Sequence, residues 1–240
     1  MNHLGSLLFN AGFYAWSALL AVVGLPVLLL PAPAVRAYAR LWVRGTLLLL
    51  RWTCGLRHVV HGARRLPDGP YIVAAKHQST WETLAFNVVF PDAAIVLKRE
   101  LFLIPVVGWM MWRAGNVGID RKAGTAALRA ILRDARAAAD GGRRILIFPE
   151  GTRTAVGADH PYQPGVAALY SQLKLPVVPV ALNSGLFWGR RTFLKKPGLI
   201  EVEILPPIPP GLRREAFMET LRERIEAGSR RLAAGSGTRR

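Results

Sequence analysis

His77 and Glu82 stand five residues apart. An apolar, strand-like run, Tyr71 to Ala75, ends at Lys76-His77, and a polar turn, Gln78-Ser79-Thr80, leads to a helix-like stretch opening at Trp81. An imidazole beside a carboxylate is a general-base pair. Neutral imidazole, with an ordinary pKa of about 6.5, takes a proton near neutrality, and a carboxylate on the other ring nitrogen fixes the tautomer and stabilises the imidazolium that forms. On one helix a spacing of five turns the side chains apart by roughly 140°. The two groups therefore meet only if His77 lies in the turn and Glu82 in the first helical turn, the kind of strand-to-helix junction that carries sites in open α/β sheets. The bland alternative is a capping histidine and a helix-start glutamate, and the pair alone does not exclude it. Ser79, two residues from His77, is a poor nucleophile candidate because the chain has no G-x-S-x-G elbow.

A second stretch strengthens the catalytic reading. The apolar run Ile145-Leu146-Ile147 feeds Phe148-Pro149-Glu150-Gly151-Thr152-Arg153. Gly151 permits backbone conformations closed to other residues, while Thr152 and Arg153 offer a hydroxyl and a forked guanidinium, the donors an anionic oxygen takes. Val117-Gly118-Ile119-Asp120-Arg121 is a third short apolar run ending in charge.

Four ordered blocks, HQSTWE (77–82), GIDR (118–121), FPEGTR (148–153) and LPVVPVAL (175–182), make the chain resemble the glycerolipid acyltransferases, most closely the bacterial 1-acylglycerol-3-phosphate acyltransferases. The resemblance spans roughly residues 70–205. Glu82 replaces the Asp more frequent in the first block, and Gly118 and Pro164 stand where a bulkier residue and a Lys are common. The resemblance implies acyl transfer from acyl-CoA or acyl-carrier protein to the 2-hydroxyl of a lysophosphatidate, with His77 as base and Glu82 orienting it. It assigns acceptor binding to Glu150, Gly151 and Arg153 with help from Thr152, phosphate contact to Arg121, and a link to the acyl donor to Pro176 and Pro179. No metal and no cofactor is implied. The same chemistry on another acceptor (glycerol 3-phosphate, a lyso-aminolipid or a glycolipid precursor) stays open, as does a non-catalytic membrane-binding protein.

The elements that must position these residues follow from hydrophobic patterning. Strands are expected at 59–61, 71–75, 93–97, 116–119, 144–148, 177–182 and 199–204, and helices at 81–89, 106–113, 124–139, 165–173 and 213–233. This alternation predicts an α/β layer fold with a mixed, mainly parallel sheet. Pro176 and Pro179 are expected to bracket their strand, since proline belongs at strand ends or sheet edges. His58 and His61 face opposite sides of a strand and make no metal pair. In 97–113, Trp109, Met110, Met111 and Trp112 suit a lipid contact and a core equally.

Bulk composition sets the surroundings. The 240 residues hold 51% hydrophobic and 20% charged residues, which excludes a disordered chain. A formal charge of +17 favours an anionic partner. Nucleic acid is disfavoured because the arginines form no compact block; an anionic bilayer fits better. A single cysteine, Cys54, excludes an internal disulfide.

Met1 to Val35 carries no Lys, Arg, Asp or Glu. Leu4–Leu30 would be about 40 Å long as one helix, enough to cross a bilayer with tilt. Gly24 and Pro26 could instead break it into a hairpin dipping into one leaflet. A signal peptide is disfavoured by the uncharged start and the long apolar run. Arg36, Arg40 and Arg44 then place the following part on the cytoplasmic side, and 36–57, basic and aromatic, reads as an interfacial helix. The expected organisation is membrane-anchoring and interfacial helices at 1–57, an acyltransferase domain at 58–234 and a disordered tail at 235–240, located at the inner (cytoplasmic) membrane.

Overall fold

The computed structural model describes residues 2–120 and 124–236. Two helices, α1 (His3–Val23) and α2 (Ala32–Cys54), open the chain, separated by a 3-10 turn over Leu25–Leu29. Gly24 caps α1, Pro26 opens the 3-10 turn, and Pro31 caps α2, so the break falls at the residues whose backbones resist a continuous helix. Of the two arrangements compatible with the sequence, the helices form an antiparallel hairpin. Asn2 Nδ2 donates to the Cys54 carbonyl, Trp16 Nε1 to that of Trp42 and the Tyr38 hydroxyl to that of Leu20. The close approach depends on glycine: a Cβ on Gly5 would sit 2.2 Å from the Thr53 carbonyl oxygen, and one on Gly45 would sit 2.6 Å from the Trp16 indole. Gly55 ends α2 in the left-handed region, its N–H returning to Arg51.

Seven strands follow: β1 (Leu56–His61), β2 (Ile72–Ala75), β3 (Ala94–Lys98), β4 (Val117–Ile119), β5 (Ile145–Ile147), β6 (Val177–Leu182) and β7 (Gly198–Ile204). They are interleaved with α3 (Trp81–Val89), α4 (Val107–Arg113), α5 (Gly124–Asp140), α6 (Pro164–Leu173) and α7 (Arg214–Gly235). The order across the sheet is β1-β7-β6-β2-β5-β3-β4. Every neighbouring pair is parallel except β6 with β7. The mixed, mainly parallel sheet is thus as expected, with strand and helix boundaries within a few residues. β1 starts at Leu56, three residues early, because it pairs with β7 along its whole length, from Leu56 opposite Gly198 to His61 opposite Glu203.

Alternation sorts the strand side chains into two layers. Val73 and Ala75 of β2 join Phe9, Leu50, Trp81 and Phe86 beneath the hairpin and α3. Ile72 and Ala74 join Ile131, Leu169, Phe217 and Leu221 beneath α5, α6 and α7. β2 and β6 are buried throughout, as strands of a doubly covered sheet should be.

Three expectations need correction. Pro179 lies within β6, an interior strand. The neighbouring chain bulges there through Leu205, Pro206 and Pro207, between the Val180–Ile204 pair and the Val177–Ile208 bridge, a setting in which a strand accepts proline, and the Pro179 carbonyl still accepts the Leu205 N–H. Helix α7 runs to Gly235, and Asn183 Nδ2 donates to Ser236 Oγ at 2.7 Å, so the first two residues of the expected disordered tail are placed. Arg36 and Arg40, expected on an interfacial helix, turn their charges into the protein. Both bond to Asp92 Oδ1, at 3.0 and 2.8 Å, fastening α2 to the turn before β3. Burial pushes the Asp92 carboxyl up, but the Arg40 and Arg36 hydrogen bonds outweigh it and hold the carboxyl below its usual range. At the other end of the hairpin, Lys195 is buried among the Phe9, Trp188 and Phe193 rings and donates to Asn10 Oδ1. The loop after β6 is thereby fixed to α1.

Replacing Gly45 with Leu should force Trp16 out of the hairpin, at a cost of about 1–3 kcal/mol. Thermal unfolding of the detergent-solubilised protein should show a midpoint lowered by several degrees. An unchanged midpoint would contradict the close packing of α1 on α2.

Candidate active site

The parallel strands aim their C-terminal ends one way, and the polar residues of the sequence blocks collect there. β2 ends at Ala75. His77 follows in the turn, and Glu82 lies in the first turn of α3. His77 Nδ1 is 2.9 Å from Glu82 Oε1. The Glu82 carboxylate is wholly buried, and it is saturated by donors. Its Oε1 also accepts the N–H groups of Gln78 (2.6 Å) and Ser79 (2.5 Å), and its Oε2 accepts the Ser184 hydroxyl (2.7 Å). Such a carboxylate only accepts, so Nδ1 carries the ring proton and Nε2 keeps a free lone pair. The ring stacks on Phe148 at 4.1 Å between centroids, and its side chain is 12% exposed. Ser79 is buried, and its oxygen accepts the Trp81 N–H at the helix start, which removes it as a nucleophile.

The loop after β5 grips His77 from the other side. Glu150 Oε2 accepts the His77 N–H at 2.8 Å, and the Thr154 N–H donates to the His77 carbonyl at 2.8 Å. Gly151, at φ 68°, makes the bend that lets the loop double back. Glu150 is 1% exposed and also holds the Thr154 hydroxyl and the Lys76 ammonium. The expected direct contact of Glu150 with an acceptor is therefore closed to it, and its grip is on the His77 peptide. Gly151, Thr152 and Arg153 line the same cavity as His77. Arg153 Nη1 donates to Thr80 Oγ1 at 2.6 Å, which leaves its other N–H groups for a ligand.

The remaining expected residues are not gathered here. Arg121 lies outside the described residues. The Pro176 carbonyl accepts the Ile72 N–H at the opposite end of β2, about 17 Å along the strand from His77, and Pro179 is buried in β6. Neither proline thus lines the site at His77. What the fourth block does supply lies just beyond it. Ser184 holds Glu82, and the Gly185 N–H donates to the Gln78 side chain at 3.0 Å. The Asn183-Ser184-Gly185 turn signal after the strand was legible, but not its partner 102 residues earlier.

The cavity has a volume of about 1040 Å³ and runs from His77 between the hairpin, α3 and α4, past Leu84, Phe90, Met110 and Met111, to Arg36 and Asp92. Met110 and Met111 face it, while Trp109 and Trp112 are exposed. None of the four belongs to the buried core. Arg190 and Arg191 join its lining near Arg153. His58 packs on Trp81 and His61 faces Glu201, so the two do not converge.

A parallel α/β sheet with a buried His–Glu pair at its carboxyl edge, opening on a long apolar cavity beside arginine, defines a class of group-transfer enzymes on lipids. The family model described as Acyltransferase matches residues 57–183, and the chain belongs to that family. It is 34% identical to the 1-acyl-sn-glycerol-3-phosphate acyltransferase of Pseudomonas aeruginosa, over 92% of this chain and 85% of that one. It is 32% identical to the human 1-acyl-sn-glycerol-3-phosphate acyltransferase alpha, over 84% of this chain and 72% of that one. Its fold matches the crystal structure of the 1-acyl-sn-glycerophosphate (LPA) acyltransferase, PlsC, from Thermotoga maritima. The TM-score there is 0.78, with 98% of each chain covered at 23% identity.

Glu82→Gln keeps a carbonyl oxygen for Nδ1 and the two backbone donors, removes the charge and turns the atom facing the Ser184 hydroxyl from acceptor to donor. Losing a charge-assisted bond of about 1.5–3 kcal/mol should lower kcat roughly 10- to 100-fold with the fold intact by circular dichroism. Wild-type kcat would show that the carboxylate does not serve the imidazole.

Proposed function

We propose that this enzyme transfers an acyl group from acyl-CoA or acyl-carrier protein to the 2-hydroxyl of 1-acyl-sn-glycerol 3-phosphate, making phosphatidic acid. The observation that carries this reading is the free Nε2 of His77, facing the cavity with Arg153 beside it and Glu82 behind. Nε2 takes the proton of the 2-hydroxyl as its oxygen attacks the thioester carbonyl. The imidazolium is held by Glu82. The tetrahedral adduct collapses, the C–S bond breaks, and His77 returns the proton to the departing thiolate. No covalent acyl-enzyme is needed. Arg153, with Gly151 and Thr152, receives the acceptor phosphate, a role for which a forked guanidinium is suited, and Arg121 is assigned to the same phosphate. The apolar cavity takes an acyl chain.

The reading extends to the membrane. The outward face of α1 exposes Leu4, Leu7, Leu8 and Leu19, and α2 exposes Leu48 and Trp52. Leu103, Trp109 and Trp112 add a second exposed apolar edge beside it. Contiguous apolar surface of this kind is what an amphipathic hairpin buries in one leaflet. Residues 1–57 form the anchoring part and 58–234 the catalytic part. The enzyme lies on the cytoplasmic side of the inner membrane, where the exposed Arg44, Arg51 and Arg57 meet anionic headgroups.

Thioester consumption by the purified enzyme should be fastest with lysophosphatidate in a panel that includes glycerol 3-phosphate and a lyso-aminolipid, and His77→Ala should abolish it. Because only the neutral imidazole accepts a proton, the rate should also fall on acidification. Normal turnover by His77→Ala sinks the mechanism, and preference for another acceptor sinks the substrate assignment.

Arg153→Ala should raise the KM for lysophosphatidate roughly ten-fold or more and leave the KM for the thioester nearly unchanged. The reverse pattern would place Arg153 on the donor side.

A further inference from the structure

Behind the His77 peptide lies a charged cluster that the reaction as written does not use. Lys76, the residue before the base, is 1% exposed. Its ammonium is 2.5 Å from Glu150 Oε1 and 2.7 Å from Oε1 of Glu226, a residue of α7 distant in sequence by 150 positions. The Tyr162 hydroxyl also donates to Glu226 Oε1, at 3.0 Å. Burial and the charges of Glu226 and Glu150 push the tyrosine hydroxyl far up, so it remains a donor. The links therefore run without a gap. Glu226 and Tyr162 hold Lys76, Lys76 holds Glu150, and the other oxygen of Glu150 receives the His77 N–H at 2.8 Å.

A buried ion pair is weak evidence for stability, since desolvation consumes much of the attraction and packed apolar residues often do as well. Two carboxylates on one ammonium are harder still to explain as fold stabilisation, because they leave a net negative charge in the interior. That surplus has a use at this place. The ring of His77 becomes positive as it takes the acceptor proton, and negative charge close behind it stabilises the charged form. The charged groups around His77 are then Glu82 from α3, Glu150 and Arg153 from the loop after β5, and Lys76 from its own strand end. Those around Glu226 are Lys76, Tyr162 and Asp159 from the loop after β5, the last paired with Arg222, and Glu219, Arg222, Glu223 and Arg230 of α7 lining the same cleft.

We infer that Lys76 and Glu226 are positioning residues of the active site: the ammonium locks Glu150 onto the His77 peptide, and Glu226 makes the C-terminal helix part of the catalytic machinery. Glu82 fixes the ring, and this cluster fixes the backbone that carries it. The inference rests on His77 as the base. Glu226 is 16% exposed to a water-accessible cleft, so Glu226→Gln can keep the bonds to Lys76 and Tyr162 while losing its charge.

The test compares wild type, Glu226→Gln, Lys76→Gln and the double variant Lys76→Gln/Glu226→Lys, which moves the ammonium to α7 while leaving Glu150 a cation to bind. Thermal midpoints and pH–rate profiles are measured for each. Glu226→Gln should lower kcat about 5- to 20-fold, leave the KM for lysophosphatidate within about two-fold, and move the acid limb of the kcat profile to lower pH, because the imidazolium has lost a stabilising charge. The double variant should recover at least part of the kcat lost in Lys76→Gln. Wild-type kcat with an unmoved acid limb in Glu226→Gln overturns the inference, as does a loss that follows only the fraction of enzyme unfolded. If Lys76→Gln does not fold, Glu226→Gln alone decides by its acid limb. An inactive His77→Ala beside a neutral Glu226→Gln defeats this inference alone, whereas an active His77→Ala defeats the underlying mechanism too.

Discussion

One buried carboxylate organises the catalytic end of this protein. Glu82 is removed from water, so its charge must be met by donors. The donors it collects are the His77 ring, two N–H groups of the turn that follows His77, and a hydroxyl from the segment after the neighbouring strand β6. The same interaction thus closes the turn between β2 and α3, fixes the histidine tautomer and ties in the segment after β6. Glutamate in place of the shorter aspartate fits this geometry: its reach lets a residue in the first turn of α3 accept from the turn before it. Positional order of this kind is what general-base catalysis requires, since a misplaced imidazole loses its advantage within about 1 Å.

In the proposed mechanism the remainder of the fold delivers a lipid to that imidazole. The cavity floor comes from strand ends and α3, and its walls come from the hairpin and α4. The acyl path is therefore completed by the elements that carry the exposed apolar surface. Asp92 with Arg36 and Arg40 at one end, and Lys195 in its ring of aromatics at the other, fasten the hairpin to the α/β body. Arg36, Arg40 and Lys195 are thereby engaged inside the protein, whereas Arg44, Arg51 and Arg57 are exposed.

Legibility in the sequence followed the range of the interaction. The His77–Glu82 contact could be read because both partners lie within one strand-to-helix junction, and FPEGTR because it closes a single strand. The strands and helices themselves were legible from patterning. Contacts fixed by topology were not: Ser184 meets Glu82 only because β6 lies next to β2, and Glu226 meets Lys76 only because α7 packs across β6. The prolines of the fourth block misled for the same reason, since parallel register places Pro176 at the end of the sheet away from the histidine. The break was visible at Gly24 and Pro26, but the antiparallel packing of the two helices on each other depended on glycine contacts such as Gly5 on Thr53 and Gly45 on Trp16.

The central claim concerns one nitrogen, and nitrogen NMR reports on it most directly. In enzyme labelled at histidine, with the His77 signals assigned by their absence in a variant lacking it, the account predicts a neutral-pH ring protonated at Nδ1 with Nε2 bare. The opposite tautomer, with the proton on Nε2 and no bond from Nδ1 to Glu82, would contradict it.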